Sequence, residues 1–289
     1  MTATRTRILN TFRSLCFQAT TLDRFLPAVT AGRQAEELLS KLPPNPGQYR
    51  KPTIRRATRD GISFELDLSD FMEWAVYFGI TIEPRTVLYG LVRANDVAVD
   101  IGANIGEVAL NLAKRVGEKG AVHAFEANPL VYEKLLRNLS LNSSLNVIPS
   151  NVGLSDQSGS AQMWTPEQNR GGGTISDVPA GARAIAIQLV RFDDVWNVEN
   201  SRLDLIKLDV EGHELKVLRG AEGVLRRYRP KLFVELDDNN LRRHGASARE
   251  LLAFLESFGY KCTDPVSGEV LHANSDFAGK HLDFVGRAD

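Results

Sequence analysis

Apolar residues alternate at Ile62, Phe64, Leu66 and Leu68, which predicts a strand, and a helix-like run follows from Asp70 to Phe78. Beyond that point apolar runs of strand length take turns with stretches of helical period. Val97, Ala98 and Val99 form an apolar strand. After a glycine-bearing turn, Val108, Leu112 and Val116 recur on one helical face from Glu107 onward. Ala121–Phe125 reads as a buried strand, and Leu130–Leu141 as a helix with Leu135, Leu136 and Leu139 turned inward. Pro129 fits the first position of that helix. Val147–Leu154 reads as a third strand region broken by Pro149, and Gln162–Trp164 and Ala184–Val190 as additional strands. Leu203–Leu208 and Pro230–Glu235 are two more apolar strands, each ending in acids; a helix starts near Leu215 after the first. Ser247–Phe258 is a helix with Ser247 and Glu250 in capping-box spacing. Tyr260–Thr263, Glu269–His272 and His281–Val285 close the chain as strands. This alternation predicts an α/β, doubly wound, mostly parallel sheet with an antiparallel last strand.

The turn after the first of these core strands carries the most chemistry. A strand, a glycine turn and a helix N-terminus build a nucleotide-type site at the carboxyl end of a parallel sheet. The dinucleotide fingerprint G-x-G-x-x-G needs its second glycine for close approach of a pyrophosphate. Here the run is Gly102-Ala103-Asn104-Ile105-Gly106-Glu107, with Asn104 and Glu107 where two of the glycines would stand. That argues against a pyrophosphate and suits S-adenosylmethionine (SAM), whose amino-acid tail has an ammonium that Asp100 can accept. The plain alternative is an ordinary strand-to-helix turn with a capping aspartate. Glu126 ends the next strand, 20 residues beyond Gly106, followed by Ala127. A carboxylate at that place and spacing serves the two hydroxyls of a ribose. Alone, it would read as a solvated loop acid. Asn151 and Val152, at the end of the third strand region, stand where an adenine ring would lie. Glu83, in the segment before the first core strand, is a surface acid or a further ligand contact.

A second cluster, Leu203–Glu214, reads L-D-L-I-K-L-D-V-E-G-H-E. Lys207 shares a strand face with Asp209. An unpaired buried ammonium is costly, so Lys207 is expected to pair with Asp209 or Glu235, as a structural bridge or as part of the chemistry. Glu211 and His213 lie on the loop that follows. Asp209 and Glu235 are expected to end neighbouring parallel strands at one rim, where ligands of open α/β sheets bind. Such a pair can act as base and electrostatic partner, or hold a divalent cation with waters. Asp237, Asp238 and Asn239 read as a solvated turn, and Gly171–Gly173 as a flexible linkage or a lid.

Composition narrows the classes. The chain has 289 residues, 43% hydrophobic and 25% charged, with net charge −1. These are the proportions of a globular protein, and they give no global sign of nucleic-acid binding. No apolar run reaches spanning length. Two cysteines, Cys16 and Cys262, form no disulfide framework, so a reducing, cytoplasmic setting is expected. Residues 1–60 stand apart, with eleven Lys/Arg against four Asp/Glu, a net +7. Ile8, Phe12, Leu15 and Ala19 make a helical stripe there, and Lys41–Lys51 is Pro-rich like a linker. This basic helical extension is open to packing on the core, self-association, peripheral contact with an anionic membrane or a targeting role. The expected division is therefore 1–60 as extension and linker and 61–289 as the main domain.

Taken together, D-I-G-A-N-I-G-E (100–107), F-E-A-N-P (125–129), N-V-G-L-S-D (151–156), I-K-L-D-V-E-G-H-E (206–214) and P-K-L-F-V-E (230–235) resemble the FkbM-type SAM-dependent methyltransferases. Pro84 in T-I-E-P adds to the likeness, which runs from about Ile62 to Gly286 and leaves the first 60 residues uncovered. Gly153 stands where alanine is common in such sequences. The resemblance implies a Rossmann-like class I methyltransferase sheet and methyl transfer to a hydroxyl of a sugar, glycoconjugate or secondary metabolite. On that reading Asp100, Gly102, Ala103, Asn104 and Gly106 hold the methionine tail. Glu126 and Ala127 take the ribose, and Asn151 and Val152 flank adenine. His213 or Asp209 is the candidate base, with Glu211, Glu235 and Lys207 around it. The expected partner is a small-molecule or glycan hydroxyl, with no nucleic acid. Two rivals stay open: a nicotinamide oxidoreductase, disfavoured by Asn104 and Glu107, and a non-catalytic binding or assembly protein of the same fold, disfavoured by the intact acids Asp100, Glu126 and Asp209.

Overall fold

The computed structural model describes residues 24–34, 37, 39–49, 51–81, 85–165, 173–175, 184–196, 202–277 and 279–288. The apolar stripe expected at 8–19, Glu83, Gly171 and Gly172 lie outside these residues. The chain divides into two compact units, one of residues 1–83 with 166–170, the other of residues 84–165 and 171–289.

The first unit is built on an antiparallel hairpin, β1 (Ile54–Arg59) and β2 (Ile62–Asp67). The turn residues Asp60 and Gly61 both have positive φ, the geometry that matches the twist of a tight hairpin. The expected alternation holds, since Ile62, Phe64, Leu66 and Leu68 are all buried. Helix α1 (Phe71–Phe78) starts at Asp70, whose carboxylate accepts from the Met72 and Glu73 amides. The Pro-rich stretch expected as a linker is folded into this unit: Tyr49 is buried, and the Trp74 indole Nε1–H donates to the Pro44 carbonyl at 2.7 Å.

The second unit opens with α2 (Arg85–Gly90) and then winds the main sheet. Its elements are β3 (Val97–Ile101), α3 (Glu107–Val116), β4 (Ala121–Phe125), α4 (Pro129–Ser140) and β5 (Val147–Ser150). A small sheet follows, of β6 (Gly153–Ser155), β7 (Gly159–Met163) and β8 (Ile185–Arg191), closed by α5 (Phe192–Val195). The main sheet resumes with β9 (Leu205–Leu208), α6 (Glu214–Arg219), α7 (Glu222–Tyr228) and β10 (Lys231–Asp237). Then come α8 (Asp238–Arg243), α9 (Ala248–Ser257), β11 (Tyr260–Thr263), β12 (Val270–Leu271) and β13 (His281–Ala288).

The sheet order is β12-β11-β13-β10-β9-β3-β4-β5. Strands β5, β4, β3, β9 and β10 run parallel, and β13 enters antiparallel beside β10. This is the expected doubly wound, Rossmann-like α/β sheet. The chain winds outward from β3 to β5 on one side and returns to β9 on the other. The switch point between β3 and β9 is where such sheets leave a crevice at their carboxyl ends. One apolar cluster covers one face, from Val99 and Ile206 out to Leu251 and Phe284. The other centres on Ala98, Leu112, Val122 and Leu205. Among the described residues no helix is long and apolar enough to cross a membrane.

Four local expectations need correction. The region Val147–Leu154 is not one strand broken at Pro149. β5 runs through Pro149 to Ser150, and the break comes at Asn151-Val152, after which β6 joins the small sheet. Proline is tolerated because β5 is the sheet edge, where one side of the strand has no ladder to complete. Leu136 does not turn inward; it is 42% exposed, while Leu135 beside it is fully buried. The inward face is instead made by Val131, Leu135 and Asn138, with Leu139 packed beside them. Asp237–Asn239 is not a solvated turn. Asp237 caps α8 through the Asn239 and Asn240 amides, and Asp238 is buried, accepting from Ala248 N and Arg242 Nε. The last strand runs on to Ala288 rather than ending at Val285.

Candidate active site

Two neighbouring parallel strands bring the two sequence clusters together. Lys207 on β9 is directly opposite Asp100 on β3. Asp100 is fully buried, and its Oδ1 lies 3.3 Å from Lys207 Nζ. Its Oδ2 is buried with no hydrogen-bond partner among the described residues. The same ammonium lies 3.4 Å from Asp209 Oδ2 and donates to the Gly102 carbonyl at 3.1 Å. The expected pairing with Asp209 is therefore present, and Asp100 is the partner that the sequence did not announce. Burial pushes Asp100 up to about 6, with the Lys207 charge holding it down against that.

The glycine turn is shaped by contact. Gly102 has φ +76° and packs so tightly that a Cβ there would collide with the Asp209 carbonyl oxygen. Its amide and that of Ala103 both donate to the Phe125 carbonyl, which binds the turn to the end of β4. Asn104 also has positive φ, and Gly106 takes φ +88° at the N-cap of α3. Glu107, in the place of a third fingerprint glycine, has its own task. Its carboxylate lies 2.7 Å from Arg85 Nη1 and accepts from the Tyr89 hydroxyl at 3.1 Å and from Asn111 Nδ2 at 3.0 Å. Arg85 and Tyr89 are additions that the sequence patterns had not marked.

Glu126 joins two turns. Its Oε2 accepts from Asn104 N at 2.9 Å and its Oε1 from Asn128 N at 2.8 Å. The carboxylate thus ties the first turn to the second. Burial pushes it up to about 7, opposed by those two backbone donors. Asn151 Nδ2 donates to the Glu126 and Ala127 carbonyls, so this amide fixes the loop after β4. Val152 is half-buried and packs against the larger core cluster.

The loop after β9 is the other wall. Glu214 Oε1 accepts from the Val210 and Gly212 amides and folds the loop back on itself. Glu211 has φ +55°, unusual for a residue with a Cβ and a mark of a conformation held by its surroundings. Its Oε2 accepts from Asn240 Nδ2 at 3.0 Å. Gly212 packs against the Asn240 carbonyl, and His213 Nδ1 lies 3.1 Å from His244 Nδ1. Three successive loop residues are thus held by α8 and its C-cap. Burial, with the charge of Asp209 next, pushes Glu211 up to about 7. Burial, Lys216 and His244 push His213 down to about 4. Burial and the charges of Asp209 and Glu211 raise Glu235 strongly. Its Oε1 lies 3.7 Å from His281 Nε2. Among the described residues no three His, Cys, Asp or Glu side chains converge on a cation position.

A family model described as the methyltransferase FkbM domain matches residues 100–262. Methyltransferase sdnD of Sordaria araneosa is 32% identical over 160 residues, 45% of this chain and 61% of that protein. Hexuronic acid methyltransferase AglP of Haloferax volcanii is 35% identical over 132 residues, 45% of this chain and 52% of that one. The chain thus spans little more than half the length of these relatives. The 2-O-methyltransferase NoeI of Sinorhizobium fredii is 27% identical over 210 residues, 66% of this chain and 84% of NoeI.

Proposed function

The chain belongs to the FkbM methyltransferase family, and from that premise we propose that it transfers a methyl group from SAM to a hydroxyl oxygen of a sugar, glycoconjugate or secondary metabolite. The observation that carries the reading is the convergence of Asp100, Glu126 and Asp209 at the carboxyl ends of β3, β4 and β9, around a glycine turn with no space for side chains. The cradle fits the cofactor. Asp100 Oδ2 is a buried acceptor with a lone pair to offer an ammonium, beside the glycine turn that packs on the end of β9. Bound there, SAM would supply an electrophilic methyl on its sulfonium.

The residues of this chain do the rest. Asp100 holds the ammonium, Glu126 accepts from the ribose hydroxyls, and the Asn151-Val152 corner borders the adenine. Positioning accounts for most of the acceleration in such a displacement. A sugar hydroxyl is a weak nucleophile, and Glu211 is the best-tuned group to take its proton, since a base near pH 7 combines ionisation with proton affinity. His213 is less suited: it is a weak base, and its Nδ1 is engaged with His244. The names of AglP and NoeI specify oxygen-rich or 2-O acceptors and support an oxygen target.

Calorimetry tests the cofactor half. SAM should bind the wild-type chain and NAD should not. Glu126→Ala should weaken SAM by roughly 10- to 100-fold through loss of the ribose contacts. Equal SAM affinity in that variant would remove Glu126 from the site.

A further inference from the structure

The Asp100–Lys207–Asp209 trio holds two carboxylates and one ammonium within ion-pair range. Two carboxylates thus share one cation. Asp100 is fully enclosed, so its charge has no solvent to lean on. Lys207 is nearly as enclosed and is fixed by the Gly102 carbonyl, part of the same turn that frames the crevice. We propose that Lys207 is a positioning residue that keeps Asp100 ionised in the free protein, so that an incoming α-ammonium meets a ready carboxylate and completes a two-cation, two-carboxylate cluster. The proposal rests on the SAM reading above.

The consequence follows from proton balance. The charged and titratable groups around Asp100 are Lys207 and Asp209 from β9 and its end, Glu107 of α3 with its partners Arg85 and Tyr89, and Glu126 after β4. Glu107 is already matched by Arg85. Lys207 is the cation that acts on Asp100 directly. Without it, the buried carboxyl takes up a proton. An ammonium can then pair with it only by driving that proton into solvent: the O–H bond breaks, the proton goes to buffer, and the carboxylate accepts from the ammonium.

The test is calorimetry of SAM and of 5′-methylthioadenosine, which has the same adenosine but no amino-acid tail, in buffers of different ionisation enthalpy at pH 7. The difference between the two ligands isolates the tail. For the wild-type protein that difference in proton release should be near zero. For Lys207→Met it should be about one proton per SAM, and SAM affinity should rise about tenfold per pH unit between pH 6 and 8. Lys207→Arg keeps a cation and should restore the wild-type value. Asp100→Asn with Lys207→Met removes both charges and serves as a control for folding; its proton difference should return to zero. Tail-dependent proton release absent from Lys207→Met while SAM still binds would overturn the proposal and leave the cofactor reading intact. Failure of SAM to bind the wild-type chain would overturn the cofactor reading, and the proposal with it.

Discussion

Replacing Gly102 with alanine is expected to destabilise the protein by about 3 kcal/mol and to abolish cofactor binding. Two independent costs add. The residue sits at φ +76°, where an L side chain strains the backbone by roughly 1–2 kcal/mol. The added methyl also drives into the Asp209 carbonyl oxygen and the Val210 side chain, and overpacking of this kind typically costs about 1–3 kcal/mol. The obstacle is backbone, which cannot rotate aside as a side-chain tip would. Relief requires the β3 turn to move off the β9 end, and that movement opens the Asp100–Lys207 contact across the same two strands. Gly268→Ala is the control. It also has positive φ, but nothing lies within 4 Å of an added Cβ, so no collision should appear. Denaturant midpoints and SAM calorimetry on the two variants separate the collision from the strain.

Glu211→Gln is expected to lower kcat by about 100- to 10,000-fold, the range for a lost general base, with SAM affinity unchanged. The amide keeps the shape and can still face Asn240, so the loop should hold. The pH profile gives a second handle. Burial and Asp209 raise the Glu211 carboxyl to about 7, and only the ionised form accepts a proton. The wild-type rate should therefore be full at pH 8 and fall to roughly a tenth at pH 6. The glutamine variant has nothing to titrate at that position and should lose this limb. Retention of both rate and limb would return the role to Asp209 or His213.

The glycine turn and the acid after the next strand were legible in the chain because their information is local. A strand, a turn and the start of a helix are contiguous from Val97 to Leu110, and the Gly106-to-Glu126 spacing spans a single helix and strand. The α/β alternation was legible for the same reason, since each strand–helix repeat announces itself by period. Contacts between distant strands were harder. Lys207 and Asp100 are 107 residues apart, and nothing local says that β9 returns beside β3; only the sheet order does. Asn240 and His244 carry no motif. Their contacts with Glu211 and His213 arise because α8, which read as a loose acidic turn, folds against the loop after β9. Residue type alone marked His213 in D-V-E-G-H-E as a candidate base; the packing adds that burial and its neighbours push it down while burial and Asp209 push Glu211 up.

Methyl transfer to oxygen, from a donor held across β3, β4 and β9, is read out by incubating the chain with SAM carrying a deuterated methyl group and with fractionated sugar and metabolite extracts. Mass spectrometry then follows both products. A deuterated methyl on an oxygen of the acceptor and an equal amount of S-adenosylhomocysteine are expected. Deuterium left on released methylthioadenosine, or on a nitrogen or carbon of the acceptor, would rule out transfer to oxygen.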